Sequence, residues 1–301
     1  VGDIPQFDFP IKDHVELGEL HDMIDIRRGV KIAGSRMYFL KGKGAMLHLA
    51  VIRLALDYLM KKRFVPMVVP VLVHEKAMFG TGYFPIGQEQ TYTTQDKNLL
   101  IGTSEVPLVS YYSEEILDLS HFPIQLVGVS DCFRREVGSA GKDTRGLYRV
   151  HQFTKVEQVV IIPADPVESE KMHHQLLSNA EEILKQLELP YRVVEVCTGD
   201  MGQGQVKKHD IETWMPSRGR YSETHSCSSF YDFQARRSGL KYRDKDGRVK
   251  FCFTLNNTAI ASPRILIPLV ENHQQEDGSI YIPKALRPYL PESMLKGGYF
   301  V

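Results

Sequence analysis

Two short runs constrain this chain more than any others: Phe133-Arg134-Arg135-Glu136, and Arg149-Val150-His151-Gln152-Phe153-Thr154-Lys155-Val156-Glu157. Read as a strand, the second run sends alternate side chains to one face. That face gathers Arg149, His151, Phe153, Lys155 and Glu157, with Val150, Gln152 and Val156 on the other. A half-buried strand that only packs does not line up cations, an aromatic ring and a carboxylate on one side. A site for a ligand with an anionic middle, a flat ring and an ammonium group does, and ATP with an amino acid is such a ligand.

The first run agrees. The stretch 124–129 is rich in β-formers, and Arg134 and Glu136 share a face if the strand continues through them. The intervening segment 137–146 carries Gly, Ser and Asp and reads as a long hairpin loop, made positive by Lys142 and Arg145. The bland alternative is a surface hairpin with salt-bridged charges.

At 301 residues, 43% hydrophobic and 25% charged, the chain can bury a full core as an ordinary globular protein. Lys plus Arg equals Asp plus Glu at 37 each, so any nucleic-acid contact has to be a local patch. No apolar run is long enough to span a membrane, and no signal peptide is evident. The start at Val1 without an initiator Met reads as a processed or truncated end. The cysteines Cys132, Cys197, Cys227 and Cys252 are scattered without a CxxC, which predicts reduced thiols rather than a zinc site. His173-His174 reads as a surface pair on a helix.

Residues 1–44 read as irregular with short β-like pieces, and 41–44 as a turn too short for a phosphate-binding P-loop. Helical periodicity covers 45–62, and a strand follows over 64–73 whose prolines argue for an edge or an interface. Helices are expected at about 105–117, from an Asp165 cap and Pro166 through Leu187, and from about Ala259 through Leu269 with a bend at Pro268. Strands are expected around 191–197, 208–214, 221–226 and 250–257. Strands outnumber helices without strict alternation, which predicts one α+β domain over 1–301 with a mainly antiparallel sheet.

These residues resemble the catalytic domain of the class II aminoacyl-tRNA synthetases, and within them the seryl-tRNA synthetases, over essentially the whole chain. The helix after Gly44 with the strand ending at Pro70 looks like motif 1, with Arg63 where the family often has Gly. The hairpin is similar to motif 2, and Thr254-Leu255-Asn256-Asn257-Thr258-Ala259-Ile260-Ala261-Ser262-Pro263-Arg264 to motif 3. Serine-type signs are Thr103-Ser104-Glu105-Val106-Pro107, the stretch 197–202, Tyr221-Ser222-Glu223-Thr224-His225-Ser226-Cys227-Ser228, and Asp232-Phe233-Gln234-Ala235-Arg236-Arg237. His225 stands where the family more often has Ser, and Asn257 where bacterial relatives often have Gly.

The resemblance implies a class II sheet flanked by helices and an ATP-dependent activation of L-serine to seryl-adenylate, with transfer to the 3′ end of tRNA(Ser). It implies that Arg134 bridges the α-phosphate and the serine carboxylate, Phe153 and Arg264 sandwich adenine, Glu136 accepts its amino group and Arg149 holds the γ-phosphate. Glu223 and Ser226 would hold Mg²⁺ on the phosphates. Thr103 and Glu105 would read the serine ammonium, with Glu157 and Thr258 at its hydroxyl and Asn256 on the same polar wall. Arg134, Glu136 and Arg264 form the implied catalytic set. Glu157 has a plainer alternative as an ion-pair partner of Arg149, and Thr258 as a cap on the last helix.

A homodimer in the cytoplasm (or an organelle) is also implied. Residues 1–44 show no sustained heptads, so the chain is expected to lack the N-terminal helical arm of the family. A paralogue loading a carrier protein, or a non-catalytic binding module, are the competing functions.

Overall fold

The computed structural model describes residues 1–138, 141 and 143–301; the loop cation Lys142 lies outside the described residues. The expectation that 1–44 is irregular does not hold. Helix α1 (His14–Leu20) is started by a capping box, Asp13 accepting from the N–H groups of Val15 and Glu16 while Glu16 accepts from that of Asp13. Helix α2 (Ile26–Ala33) is capped by Asp25. Helix α3 (Lys43–Lys61) turns Leu47, Ala50, Val51, Leu54 and Leu59 inward as its periodicity predicts. It ends in a left-handed residue, Arg63 at φ 68°.

The expected strand over 64–73 is split. Val65–Val68 forms β1, and Leu72–Val73 pairs instead with Leu99–Leu100. Helix α4 (Glu75–Gly80) and helix α5 (Glu105–Ser110) follow. The longer helix expected to Leu117 fails because Glu114 takes φ 63°, after which Ile116–Asp118 pairs as a strand with Lys241–Arg243. The chain continues through β2 (Ile124–Phe133), β3 (Gln152–Ile162), α6 (Pro166–Gln186), β4 (Tyr191–Glu195), β5 (Lys207–Met215), β6 (Arg220–Tyr231), α7 (Phe233–Ser238), β7 (Phe253–Ser262) and α8 (Leu266–Asn272).

The expected last helix begins later because β7 stays paired with β3 as far as Ser262. Pro268 falls in the first turn of α8, where its missing N–H breaks no intrahelical bond, so no bend is needed. Helix α6 starts as predicted: Asp165 accepts from Val167 and Glu168 N–H groups, with Pro166 in the first turn. His173 departs from the expected surface pair: it is buried and bonded to Ser229 and His209, while His174 is exposed.

The seven strands form one sheet in the order β1-β2-β3-β7-β6-β5-β4. Only the β1–β2 pair is parallel, so the sheet is mainly antiparallel and the α+β class holds. Proline in β1 is tolerated because β1 is an edge strand. Helices α3 and α6 cover one face, packing on Val127, Val156, Val160 and Ile162. Residues of α5 and α7 cover part of the other, on Leu126, Val159 and Ile161. Each such aliphatic side chain, fully buried, contributes about 1.5–3 kcal/mol.

Candidate active site

The odd-numbered residues of β3 decide where the cavity lies. Ile161 and Val159 are covered by the α5–α7 layer. One step further along the same face the chemistry changes to Glu157, Lys155 and Phe153, and here the face opens into a cavity of about 430 Å³ that all three line. The expected alternation therefore holds for these three. It fails for Arg149 and His151, because pairing of β3 begins only at Gln152. Likewise β2 ends at Phe133, so Arg134 and Glu136 lie beyond the strand. Both still reach the cavity, Glu136 through a left-handed backbone at φ 52°.

Two β-bulges aim the remaining side chains. Ile211 pairs with His225 and Glu212 with Glu223, so Thr224 has no partner of its own in β5. That extra residue resets the alternation and turns both Glu223 and Ser226 toward the cavity, although they stand three apart. In β7, Thr258 pairs with Glu157 and Ile260 with Val156, leaving Ala259 as the extra residue. Asn256 and Thr258 on one side of this bulge and Ala261 on the other all line the cavity. His225 Nε2 lies 3.1 Å from the Ala259 carbonyl, joining the two bulges. Donation there leaves Nδ1 to accept from the Thr224 hydroxyl at 2.8 Å. Burial pushes the His225 ring down to about 4, so it is neutral and both nitrogens are used. Asn257, the other unusual residue, points to the helix layer and donates to the Leu176 carbonyl.

One end of the cavity is acidic. Glu105 is buried at the start of α5 and accepts from Tyr83 Oη at 2.9 Å and Gln234 Nε2 at 2.7 Å. Burial raises its carboxyl to about 7, with the Glu157 charge acting in the same direction. Glu157 pairs with Lys155 Nζ at 2.7 Å and accepts from Thr258 Oγ1 at 3.2 Å. Its ion-pair partner is thus Lys155, not Arg149, and Thr258 faces the cavity wall rather than capping a helix. Among the described residues, Asn256 Nδ2 is buried without a hydrogen-bond partner. Thr103 does not line this cavity; it is fully buried and its hydroxyl accepts the Glu105 N–H.

The middle is cationic and aromatic. The Arg134 guanidinium lies 5.3 Å from the Phe153 ring centre and donates to the Gly102 carbonyl. Arg264 lies 4.4 Å from the Tyr148 ring centre, and its Nε donates to the Tyr148 carbonyl at 3.0 Å. Arg149 lines an adjoining depression together with Arg134 and Glu136, and is paired with Asp143 at 3.2 Å. Near Glu223 and Ser226, Asp210 pairs with Lys208 at 3.2 Å, while its buried Oδ1 has no hydrogen-bond partner among the described residues. Burial, then the Glu223 charge, raises the Asp210 carboxyl. Hard oxygens with an excess of negative charge fit a divalent cation there.

Sequence reasoning assigned no task to Tyr83, Gln234 or Lys155. Lys155 carried the clearest signal, its place on the alternating face. Gln234 lies far from Glu105 in sequence, and only the fold brings it to Glu105, with Thr254 donating to Gln234 Oε1 to hold it there.

Residues 91–273 match the tRNA synthetase class II core domain (G, H, P, S and T). The chain is 52% identical over 290 residues to the serine–tRNA ligase of Deinococcus radiodurans, covering 96% of this chain and 68% of that protein. Its fold superposes with a TM-score of 0.92 on seryl-tRNA synthetase from Pyrococcus horikoshii complexed with ATP, at 43% identity over 98% of this chain and 65% of that one. With the cytoplasmic serine–tRNA ligase of Naegleria fowleri in complex with AMP the TM-score is 0.91, at 35% identity over 96% of this chain and 69% of that one. The chain therefore spans about two thirds of the length of these relatives. No helix among the described residues is long and apolar enough to cross a membrane. On this agreement of cavity, fold and sequence, the chain belongs to the serine–tRNA ligase family of class II aminoacyl-tRNA synthetases.

Proposed function

We propose that residues 1–301 form one catalytic domain that condenses L-serine with ATP and passes the seryl group to the 3′ end of tRNA(Ser). The observation that carries this reading is the polarity of this cavity: paired carboxylates at one end, and two arginines with an aromatic ring at its middle. A zwitterionic amino acid and a nucleotide fit end to end in that order. The serine carboxylate oxygen attacks the α-phosphorus and pyrophosphate departs. The nucleophile is already charged, so positioning and positive charge carry the catalysis.

In this reading Arg134 brings the two anions together, which suits its forked donors. Phe153 supports the adenine from below, and Arg264, braced by Tyr148, covers it. Glu136 accepts from the adenine amino group and Arg149 takes the γ-phosphate. Glu223 and Ser226 would hold Mg²⁺, which when bound neutralises phosphate charge. Glu105, with Thr103 beneath it, takes the ammonium. Glu157, Thr258 and Asn256 read the hydroxyl, and their buried polarity penalises alanine. The acceptor end of the tRNA approaches from the motif 2 loop, where Arg145 stands exposed. The enzyme works as a homodimer in the cytoplasm.

Serine-dependent ATP–pyrophosphate exchange, followed by serylation of tRNA, tests this reading. Replacing Arg134 by Ala should lower exchange by about 10²–10³, on the order of 3–4 kcal/mol of lost transition-state stabilisation. Wild-type exchange in a well-folded Arg134→Ala variant would refute the assignment.

A further inference from the structure

Lys155 is a cation inside the amino-acid end of the cavity to which the reaction itself assigns no task. It lines the cavity with only 8% of its side chain exposed. Its Nζ is 2.7 Å from Glu157 Oε2, the same oxygen that accepts from Thr258 Oγ1 at 3.2 Å. Among the described residues both contacts fall on Oε2, so Oε1 is the oxygen left to a ligand. We propose that Lys155 is a positioning residue for serine recognition: it holds Glu157 turned so that one oxygen faces the substrate hydroxyl, and it balances the charge of the Glu105–Glu157 pair. This rests on the serine-activation reading above and assigns a residue to that same site.

Charge accounting supports the proposal. Glu105 and Glu157 interact unfavourably within one buried pocket, the Glu157 charge being a cause of the raised Glu105 carboxyl and the Lys155 charge opposing it. With Lys155 and Arg134 both charged, the four groups sum to zero. A serine zwitterion, itself neutral, then enters without leaving a net buried charge. Remove Lys155 and the pocket carries one excess negative charge before serine arrives. One carboxyl then takes a proton, which the incoming ammonium must displace. The other groups facing the pair do not substitute for the lysine. Tyr83 from the loop after α4 and Cys132 on β2 are neutral groups whose ionisation burial opposes. Besides Lys155, the cation acting on Tyr83 and Cys132 is Arg134, and it serves the carboxylate of the substrate.

The test compares wild type, Lys155→Met and Lys155→Arg in pyrophosphate exchange from about pH 6 to 9, with serine and ATP varied separately. In Lys155→Met the KM for serine should rise about tenfold or more at neutral pH, as expected for truncating one partner of a buried charge pair. The KM for ATP should stay within about twofold. The acid limb of the kcat/KM profile for serine should move up by about one pH unit, because the carboxylate pair has lost its stabilising cation. Lys155→Arg should restore most of both. Where Lys155→Met does not fold, Lys155→Gln, which keeps a donor without the charge, carries the same comparison. An unmoved acid limb, or equal rises in both KM values, overturns the proposal, since a packing role or a phosphate contact would give those results. Absence of serine-dependent exchange in the wild type would overturn the activation reading itself, and this proposal with it.

Discussion

His14 Nε2 accepts the backbone N–H of Leu147 at 3.2 Å, tying the first helix of the chain to the returning end of the motif 2 loop. Because Nε2 accepts, the ring proton sits on Nδ1, which donates to the buried Glu271 Oε1 at 2.9 Å. Glu271 also accepts from the His14 N–H, the Ser217 N–H and the Ser217 hydroxyl. The relay ends beside Tyr148, whose carbonyl holds Arg264. Residues distant in sequence thus fix one wall of the cavity, formed by Leu147, Tyr148 and Arg264. Gly146 completes the arrangement: it takes φ 87°, and a Cβ there would collide with the His14 ring.

Replacing His14 by Ala should therefore weaken nucleotide binding selectively. The Leu147 N–H loses its acceptor and Glu271 one donor, costing about 1–3 kcal/mol of stability. The KM for ATP should rise several-fold while that for serine stays near wild type. Titrating each substrate in pyrophosphate exchange checks this, and a change confined to serine contradicts it.

Glu105 gives the wild-type site a pH dependence with a definite sign. Burial first, and the Glu157 charge second, raise its carboxyl to about 7, against the hydrogen bonds from Gln234 and Tyr83. In the role proposed for Glu105 the serine ammonium pairs with the ionised form, so below neutral pH binding must expel a proton. The kcat/KM for serine should fall about tenfold per pH unit on the acid side of 7. Stability runs the other way: the folded empty site holds the proton that an unfolded Glu has lost between about 4.3 and 7, so stability from this group declines as pH rises through that window. Glu105→Gln should abolish the limb and raise the KM for serine at high pH; a limb that survives in Glu105→Gln belongs to another group.

Much of this was legible in the sequence, and what was not has particular causes. The face of Phe153, Lys155 and Glu157 follows from the two-residue period of a strand, and α6 from its Asp165 cap and Pro166. The Asp13-to-Glu16 capping box was equally readable, yet α1 went unrecognised because the helix is only seven residues long. Arg149 could not be excluded from the face by alternation, since the start of β3 is set by pairing with Phe133 across a loop. The bulges at Thr224 and Ala259 are non-local too. Without them the three-residue spacing of Glu223 and Ser226 would put those side chains on opposite faces. The Glu105–Gln234–Thr254 chain exists only once three distant segments are packed together.

Arg63 shows how the family's glycine preference at that place arises. The Phe64 N–H bonds to the Leu59 carbonyl at 3.1 Å and the Arg63 N–H to the Met60 carbonyl at 3.0 Å, a Schellman ending to α3. The residue in the middle must be left-handed, and Arg63 is, at φ 68°. An L residue pays about 1–2 kcal/mol there, while glycine costs about 0.5–1 kcal/mol in chain entropy. Arg63→Gly should therefore raise stability slightly, by up to about 1 kcal/mol, or about 2 °C in Tm. A lower melting temperature would show that the arginine side chain contributes more than its backbone strain costs.

The last prediction concerns the open edge of the sheet. Strand β1 bonds to β2 on one side only, and Val68 on it is 98% exposed, with Val65 and Leu72 also exposed nearby. An apolar edge of this kind invites association unless a partner covers it. A second copy related by a twofold axis would cover it twice, since each change in an isologous interface acts at two places. The chain should thus show twice its 34.3 kDa mass in light scattering at micromolar concentration. Val68→Lys, which introduces a like charge from each subunit, should weaken the dimer by about 2–4 kcal/mol, or about 30- to 1,000-fold in Kd. Circular dichroism should be unchanged, because Val68 makes no part of the core. A wild-type mass of one chain, or a Val68→Lys dimer as tight as wild type, would place the interface elsewhere or remove it.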